Sequence, residues 1–178
     1  YGAIKFQRLL GGIFLALDAY ATAETHLHRA HEGATALNDA DDAAAAAVDL
    51  GEIAILTGHY DRVEQLSNDL AQLATRADLP WAQATAEEYL GVVARRRGRL
   101  DAAQAHAQRA LALQRALGQE AGTATALSNL GTLARDRGDY ATALDLFRQA
   151  LAIRERSDDQ LELTLRNLAL IYRDLGDD

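Results

Sequence analysis

The chain lacks cysteine and methionine altogether and has a single proline. Without cysteine there is no disulfide, no thiolate nucleophile and no cysteine-ligated zinc, and the composition is compatible with a reducing cytosol. No apolar run approaches the ~20 residues needed to cross a bilayer, and the N-terminus lacks the small-residue cleavage site of a signal peptide. We therefore expect a cytoplasmic protein. Because methionine is missing even at position 1, we expect a piece of a larger protein.

Positive charge is also scarce. There are 18 basic residues against 26 acidic ones, which gives a net charge of −8. This balance does not attract phosphate backbones or anionic membranes, so we expect neither nucleic acid nor a membrane as a direct partner. The imbalance lies in residues 1–78, with 5 basic and 12 acidic side chains, whereas residues 79–178 carry 13 and 14.

Motifs of catalytic and metal sites are absent as well. The chain has no Gly-x-Ser-x-Gly, no phosphate-binding loop and no predicted strand. His26, His28 and His31 cluster, but only His28 and His31 share a helix face. No third ligand follows them at a metal spacing, so surface or inter-repeat roles are favoured. The acidic turn at residues 38–42 suits helix capping better than calcium binding, because it lacks the required glycine and terminal glutamate. We expect no cofactor, no metal and no enzymatic activity.

What the chain does contain is an internal repeat. Leucine followed by glycine recurs every 40 residues, at Leu10, Leu50, Leu90 and Leu130, and Leu168-Ala169 gives a fifth copy 38 residues later. A turn-type residue follows seven positions after the second member of every pair: Asp18, Gly58, Gly98, Gly138 and Gly176. Self-similarity at this period indicates stacked structural repeats, each of which buries its apolar face on its neighbours.

Each copy predicts two amphipathic helices, because apolar residues recur at spacings of three and four on both sides of the turn. Three turn glycines are predicted to end first helices in the left-handed conformation, namely Gly58, Gly98 and Gly138. Three aspartates next to them are predicted to cap the second helices: Asp61, Asp101 and Asp139. The small residues Gly51, Gly91 and Gly131 are predicted to let a partner helix approach closely.

The pattern from Leu130 through Ala150, L-G-x6-G-x-Y-x2-A-x3-F-x2-A, resembles the tetratricopeptide repeat. The longer period is similar to that of Leu-Gly-Asn (Pins-type) adaptors, kinesin light chains and many bacterial regulators. The resemblance implies an all-α, right-handed solenoid of about nine helices with a concave groove lined by first helices. We expect one domain over residues 1–178, with repeats at about 1–40, 41–79, 80–119 and 120–158 and a partial repeat at 159–178.

The resemblance also implies where a ligand would lie. Members of the family hold segments of partner proteins on a stripe of the first helices, which in the fourth copy includes Ser128, Thr132 and Arg135. Arg95 in the third copy and Arg173 in the fifth match Arg135, and Arg166 of the fifth copy lies on the same stripe at the position of Ser128. Successive guanidinium groups suit the carboxylates of an acidic peptide. The alternative is that these arginines only pair with nearby aspartates such as Asp136 and Asp174.

Two asparagines, Asn129 and Asn167, precede the repeat leucine in the fourth and fifth copies. They resemble the asparagines that kinesin light chain repeats use to hold the backbone of a bound peptide. An amide can donate and accept at once, so it suits a backbone whose side chains vary. A hydrogen bond between repeats is the alternative role.

The sequence therefore predicts a protein-protein interaction module that binds a protein or peptide, an acidic one if the arginines take part. Two alternatives stay open. One is a regulatory or sensor domain of a bacterial transcriptional regulator or signalling ATPase. The other is a scaffold that forms a homo-oligomer through the open apolar face of the partial C-terminal repeat.

Overall fold

The computed structural model describes residues 2–157 and 161–176, and in these ranges the chain is helical with short turns. The helices come in the predicted order of five first helices and four second helices. They are α1 (Gly2–Ala16), α2 (Tyr20–Ala36), α3 (Ala40–Leu56), α4 (Tyr60–Ala77), α5 (Pro80–Arg96), α6 (Leu100–Ala116), α7 (Glu120–Asp136), α8 (Tyr140–Ser157) and α9 (Leu161–Leu175). The all-α fold class is confirmed.

Left-handed residues separate the helices. Gly58, Gly98 and Gly138 have φ angles of +76°, +71° and +78°, which confirms the role predicted for them. Asp18 stands at the equivalent position of the first copy and adopts φ +56°. Aspartate tolerates this conformation better than most side chains do, so the first copy keeps the same turn without glycine.

The aspartate caps were predicted correctly at one position of three. The Thr142 backbone N–H donates to Asp139 Oδ1 at 3.1 Å, so Asp139 caps α8. The prediction was wrong for Asp61 and Asp101, since both lie inside the first turns of α4 and α6. His59 and Arg99 occupy the cap positions there and make no side-chain cap hydrogen bond. A carboxylate in the first turn still interacts favourably with the helix dipole.

The chain divides into two compact units, Tyr1–Val93 and Ala94–Asp178. In the first unit, alanines dominate the contact between α2 and α3: Ala30 and Ala34 pack against Ala43 and Ala46, and all four are 0–3% exposed. Close approach also needs glycine. A Cβ added to Gly51 would lie 2.5 Å from Cε2 of Tyr89, which confirms the packing role predicted for this glycine.

The second unit repeats this arrangement with larger side chains. Phe147 of α8 is fully buried and packs with Ile171 of α9. Its ring lies 3.1 Å from the position of a Cβ on Gly131, so the predicted role of this glycine is confirmed too. Leu133 of α7 packs on Ala103 and Ala107 of α6. In both units, therefore, first helices pack on the second helices that come before them.

Candidate functional site

The predicted binding residues fall on three first helices of the second unit. Arg95 lies in the last turn of α5, which belongs to this unit from Ala94 onwards. The others lie on α7 and α9, which contact each other. We call the surface formed by Asn129, Thr132, Arg135, Arg166, Asn167 and Arg173 the α7–α9 face.

Three of the four predicted arginines lie close to aspartates. Arg95 Nε donates to Asp136 Oδ2 at 2.6 Å, and Arg135 Nη2 lies 3.8 Å from Asp136 Oδ1. Arg173 Nη2 donates to Asp174 Oδ1 at 2.9 Å. Asp136 and Asp174 are the two aspartates that the sequence analysis gave as alternative partners of these arginines. Arg166 is exposed and forms no hydrogen bond or ion pair with any residue in the described part of the chain.

The hydroxyl groups of α7 are less accessible than predicted. Ser128 is 7% exposed, and its Oγ is buried without a hydrogen-bond partner among the described residues. Thr132 is half-buried, and its Oγ1 donates to the Ser128 carbonyl at 2.9 Å. A ligand on the surface would therefore contact the edge of Thr132 rather than Ser128.

The two asparagines occupy matching positions and have unused hydrogen-bonding groups. Asn129 on α7 and Asn167 on α9 are both half-buried. Neither side chain forms a hydrogen bond with another described residue, so the hydrogen bond between repeats that was the alternative role is not formed in these ranges. Each amide has two donors and one acceptor available to a ligand.

The same position is used differently in the first unit. Forty residues before Asn129 stands Tyr89, whose hydroxyl donates to the Val48 carbonyl at 3.1 Å. Burial and the nearby carboxylates Glu52, Glu88 and Asp49 raise the pKa of Tyr89 above its ordinary value, so the hydroxyl keeps its proton.

Asp49 stands one repeat further towards the N-terminus. Burial raises the pKa of its carboxyl, although Arg8, whose Nε lies 3.5 Å from Asp49 Oδ2, opposes the shift. Tyr89 and Asp49 are thus engaged inside the first unit, whereas Asn129 and Asn167 in the second are not.

A buried arginine that the sequence did not single out holds the α7–α9 face in place. Arg154 of α8 is 2% exposed, and its guanidinium donates to the hydroxyls of Thr125 on α7 and Thr164 on α9. The equivalent positions of the first two copies are Ala34 and Ala74. An arginine in place of a core alanine was the signal that could have identified it.

The histidines of α2 serve packing and hydrogen bonding. The ring of His26 stacks on Phe14 with centroids 5.4 Å apart, and His31 Nδ1 lies 2.9 Å from the Ala43 carbonyl oxygen. In the 38–42 turn, Asp39 accepts the Asp42 backbone N–H at 3.1 Å, which confirms capping. Within the described ranges, no group of three or more histidine, aspartate or glutamate side chains is placed to hold a metal ion.

The described residues include an open cavity but no membrane-spanning helix. None of the helices there combines the length and the apolar character that crossing a bilayer requires. An open cavity of about 590 Å³ in the first unit is lined by α2, α3 and α4, including His31, Asp69 and Arg76. None of the predicted binding residues lines it.

Comparison with known proteins supports the predicted resemblance. Residues 82–156 match the sequence model of the tetratricopeptide repeat. A stretch of 48 residues is 44% identical to Photosystem I assembly protein Ycf3 of Synechococcus sp. (strain CC9605), and it covers 27% of this chain and 27% of that protein. The chain therefore matches about a quarter of the length of this relative.

Solved structures share the fold. BtubC (BKLC) from P. vanneervenii aligns with a TM-score of 0.78 at 22% identity, over 98% of this chain and 73% of that one. A Rap protein complexed with competence and sporulation factor aligns with a TM-score of 0.88 at 20% identity, over 98% and 49%. A putative kinesin light chain of Podosopora anserina gives 0.69 at 13% identity, over 97% and 87%.

Proposed function

We propose that this chain, which is built of tetratricopeptide repeats, is a protein-binding module whose α7–α9 face holds an extended segment of another protein. One observation carries the proposal. Asn129 and Asn167 stand at matching positions of two first helices, half-buried, and their amides are not used by any described residue. Neither amide is among the polar atoms that are buried without a partner, so both amides are accessible to a ligand.

A peptide backbone is the ligand that such a pair of amides suits. Successive residues of an extended chain present N–H and C=O groups whatever their side chains are. A carboxamide can accept from one and donate to the other, which gives affinity without demanding a sequence. Asn129 and Asn167 would therefore set the path of the segment, and other groups would select its side chains.

The arginines favour acidic side chains in that segment. Arg166 is exposed and has no partner in the described ranges, so it can take a carboxylate without leaving any described residue. Arg135 and Arg173 would first have to leave Asp136 and Asp174. Arg135 lies 3.8 Å from Asp136 and Arg173 is exposed, so each pair is worth about 0–1 kcal/mol. An incoming bidentate carboxylate can offset that amount.

Selection from a displayed library of random peptides tests the proposal. Peptides selected on the wild-type chain should be rich in aspartate and glutamate. They should bind Arg166→Glu about tenfold more weakly, because an attractive pair becomes a repulsive one. Arg115→Glu is the matched control: Arg115 is an exposed arginine of α6, a second helix of the same unit, and the charge change is identical.

A second variant separates backbone recognition from charge. Asn167→Ala should weaken all selected peptides by a similar factor, whatever their acidity, since it removes contacts to the backbone. If selected peptides bind Arg166→Glu, Asn167→Ala and Arg115→Glu equally well, the α7–α9 face is not the binding surface. The regulator and scaffold alternatives stay predictions, and sedimentation of the wild-type chain tests the second of them.

A further inference from the structure

The open cavity of the first unit, about 590 Å³ in volume, is lined by residues of α2, α3, α4 and the 37–39 turn. We call it the α2–α4 cavity. In its lining, apolar side chains such as Leu66, Leu70 and Leu73 stand beside the polar groups of His31 and Arg76. A cavity of this size, with a largely apolar lining and a few polar groups, is typical of sites for small ligands.

Leucine side chains occupy the corresponding place in the second unit. Eighty residues after His31 and Ala47 stand Leu111 of α6 and Leu127 of α7. Leu127 is 2% exposed and packs with Leu111 in one hydrophobic cluster. In the first unit, alanine replaces Leu127, and His31 places its Nδ1 2.9 Å from the Ala43 carbonyl oxygen. The shorter side chain of Ala47 therefore leaves space for an apolar group of about the size of a leucine side chain.

Neither a larger neighbouring residue nor a further repeat closes this space. Leu70 stands where the second unit has Ala150, but it packs in the cluster that includes Ala82 and Ala86 of α5. None of the described residues of α1 lines the cavity, so a helix stacked on α1 would not cover it. The cavity is therefore a property of α2, α3 and α4 themselves.

The cavity also contains an arginine that has lost its partner. In the second unit, Arg156 Nη2 donates to Glu120 Oε1 at 3.0 Å. The matching residues of the first unit are Arg76 and Ala40, so the arginine is kept and the carboxylate is missing. Arg76 is exposed and forms no hydrogen bond or ion pair with any residue in the described ranges. A guanidinium group binds a carboxylate through two parallel hydrogen bonds, so a ligand carboxylate suits the place that Glu120 occupies.

Two acidic residues of the lining leave Arg76 available. Asp39 Oδ1 accepts the Asp42 backbone N–H at 3.1 Å and so caps α3. Asp69 stands seven residues before Arg76 on α4, which is about 10 Å along the helix axis. Exposed charges at that separation are largely screened by salt.

We propose that the α2–α4 cavity binds an aliphatic carboxylate, with Arg76 pairing with the carboxylate and the hydrocarbon chain lying over Ala47. The ligand supplies the two groups that Glu120 and Leu127 supply in the second unit. Ala40 and Ala47 are seven residues apart, about 10 Å along the axis of α3. An extended carbon chain advances about 1.3 Å per bond, so a ligand of about eight carbons matches this length.

A series of straight-chain carboxylates from butanoate to dodecanoate tests the proposal. Each is titrated into the 15N-labelled chain, and the backbone amide signals of Ala40 and Ala47 are followed by NMR. The affinity should rise about two- to fourfold per methylene group up to about eight carbons and then level off, because further methylene groups extend out of the cavity. Octanoate should bind about tenfold more tightly than 1-octanol, which has no charge to pair with Arg76.

Three variants separate the charge from the space. Arg76→Gln should weaken octanoate about tenfold and leave 1-octanol unchanged, and Ala40→Glu should do the same because it supplies an internal carboxylate. Ala47→Leu should weaken octanoate and 1-octanol alike, and it should raise Tm because it fills the space. Arg29→Gln is the matched control, since Arg29 is an exposed arginine of α2 outside the lining.

Three results would overturn the proposal. The first is no saturable shift of the two amide signals with octanoate up to about 10 mM. The second is equal affinity of Arg76→Gln and Arg29→Gln for octanoate, and the third is an affinity that does not change with chain length. Circular dichroism checks that the variants fold, and the half-buried position of Ala40 keeps the test decisive if Ala47→Leu does not. None of these results depends on the α7–α9 face.

Discussion

Replacing Gly51 with alanine tests whether close helix approach sets the packing of the first unit. The added Cβ would lie 2.5 Å from Cε2 and 2.9 Å from Cδ2 of Tyr89, well inside van der Waals contact. The ring cannot move away freely, because its hydroxyl donates to the Val48 carbonyl at 3.1 Å. Relief of the clash would cost this hydrogen bond or shift α5.

The magnitude follows from two opposing effects. Alanine in a helix interior gains about 0.5–1 kcal/mol over glycine. Overpacking of a restrained contact costs about 1–3 kcal/mol, and the overlap here is severe enough for the upper part of that range. We expect Gly51→Ala to lower the free energy of unfolding by about 1–2 kcal/mol, which corresponds to about 3–6 °C in Tm for a chain of this size.

Gly12→Ala is the matched control. Gly12 also lies inside a helix, α1, but a Cβ there would meet nothing within 4 Å. Its substitution should therefore raise the free energy of unfolding by about 0.5–1 kcal/mol. Both variants are measured by urea and thermal denaturation followed by circular dichroism. In a Tyr89→Ala background, which removes the ring, Gly51→Ala should become neutral or stabilising. If Gly51→Ala stabilises the wild-type chain as much as Gly12→Ala does, the packing argument is refuted.

Three further predictions concern single side chains. Burial raises the pKa of Asp49 despite Arg8, so the ionised carboxylate destabilises the fold at pH 7, and this effect disappears once the carboxyl is protonated, below pH 3.8. Asp49→Asn should therefore raise the urea midpoint at pH 7, and the increase over the wild type should be lost near pH 4. Hydrogen bonds from Thr142 lower the pKa of Asp139, so Asp139→Ala should lower Tm at pH 7, by an amount that shrinks as the pH falls through the lowered pKa. Arg154→Ala should cost about 2–4 kcal/mol in urea denaturation, because it leaves the buried Thr164 hydroxyl without this donor and removes a buried side chain. A cost below about 0.5 kcal/mol would contradict its role.

The helices and their order could be predicted because the same sequence pattern recurs in every repeat. Leu50-Gly51 and Leu130-Gly131 mark close contacts, and Gly58 and Gly138 mark turns, so one copy corrects the interpretation of another. Caps were harder. Asp139 directly precedes the first residue of α8, whereas Asp61 and Asp101 are the second residues of α4 and α6. The 40-residue alignment matches Asp139 with Arg99 and His59, so the prediction relied on residue type where the alignment already separated these positions.

The site was predicted less completely than the fold, because spacing alone does not separate surface from core. Ser128 shares the periodicity of Thr132 yet is buried, since α7 packs against neighbours on most of its sides. Arg154 was missed because sequence alone does not distinguish a buried arginine from a surface one. Its role follows only from the coordinates, which show its hydrogen bonds to Thr125 and Thr164. Which arginines pair with Asp136 also depends on coordinates rather than on spacing.

The most direct test of the central claim is a side-chain NMR measurement on the α7–α9 face. A peptide selected on the wild-type chain is titrated into 15N-labelled protein, and the side-chain amide signals of Asn129 and Asn167 are followed. Binding in the proposed way predicts that both signals shift with the same saturation curve as the peptide, and that Arg166→Glu weakens that curve while Arg115→Glu does not. If the peptide saturates the protein while both amide signals stay unmoved, the α7–α9 face does not bind the segment.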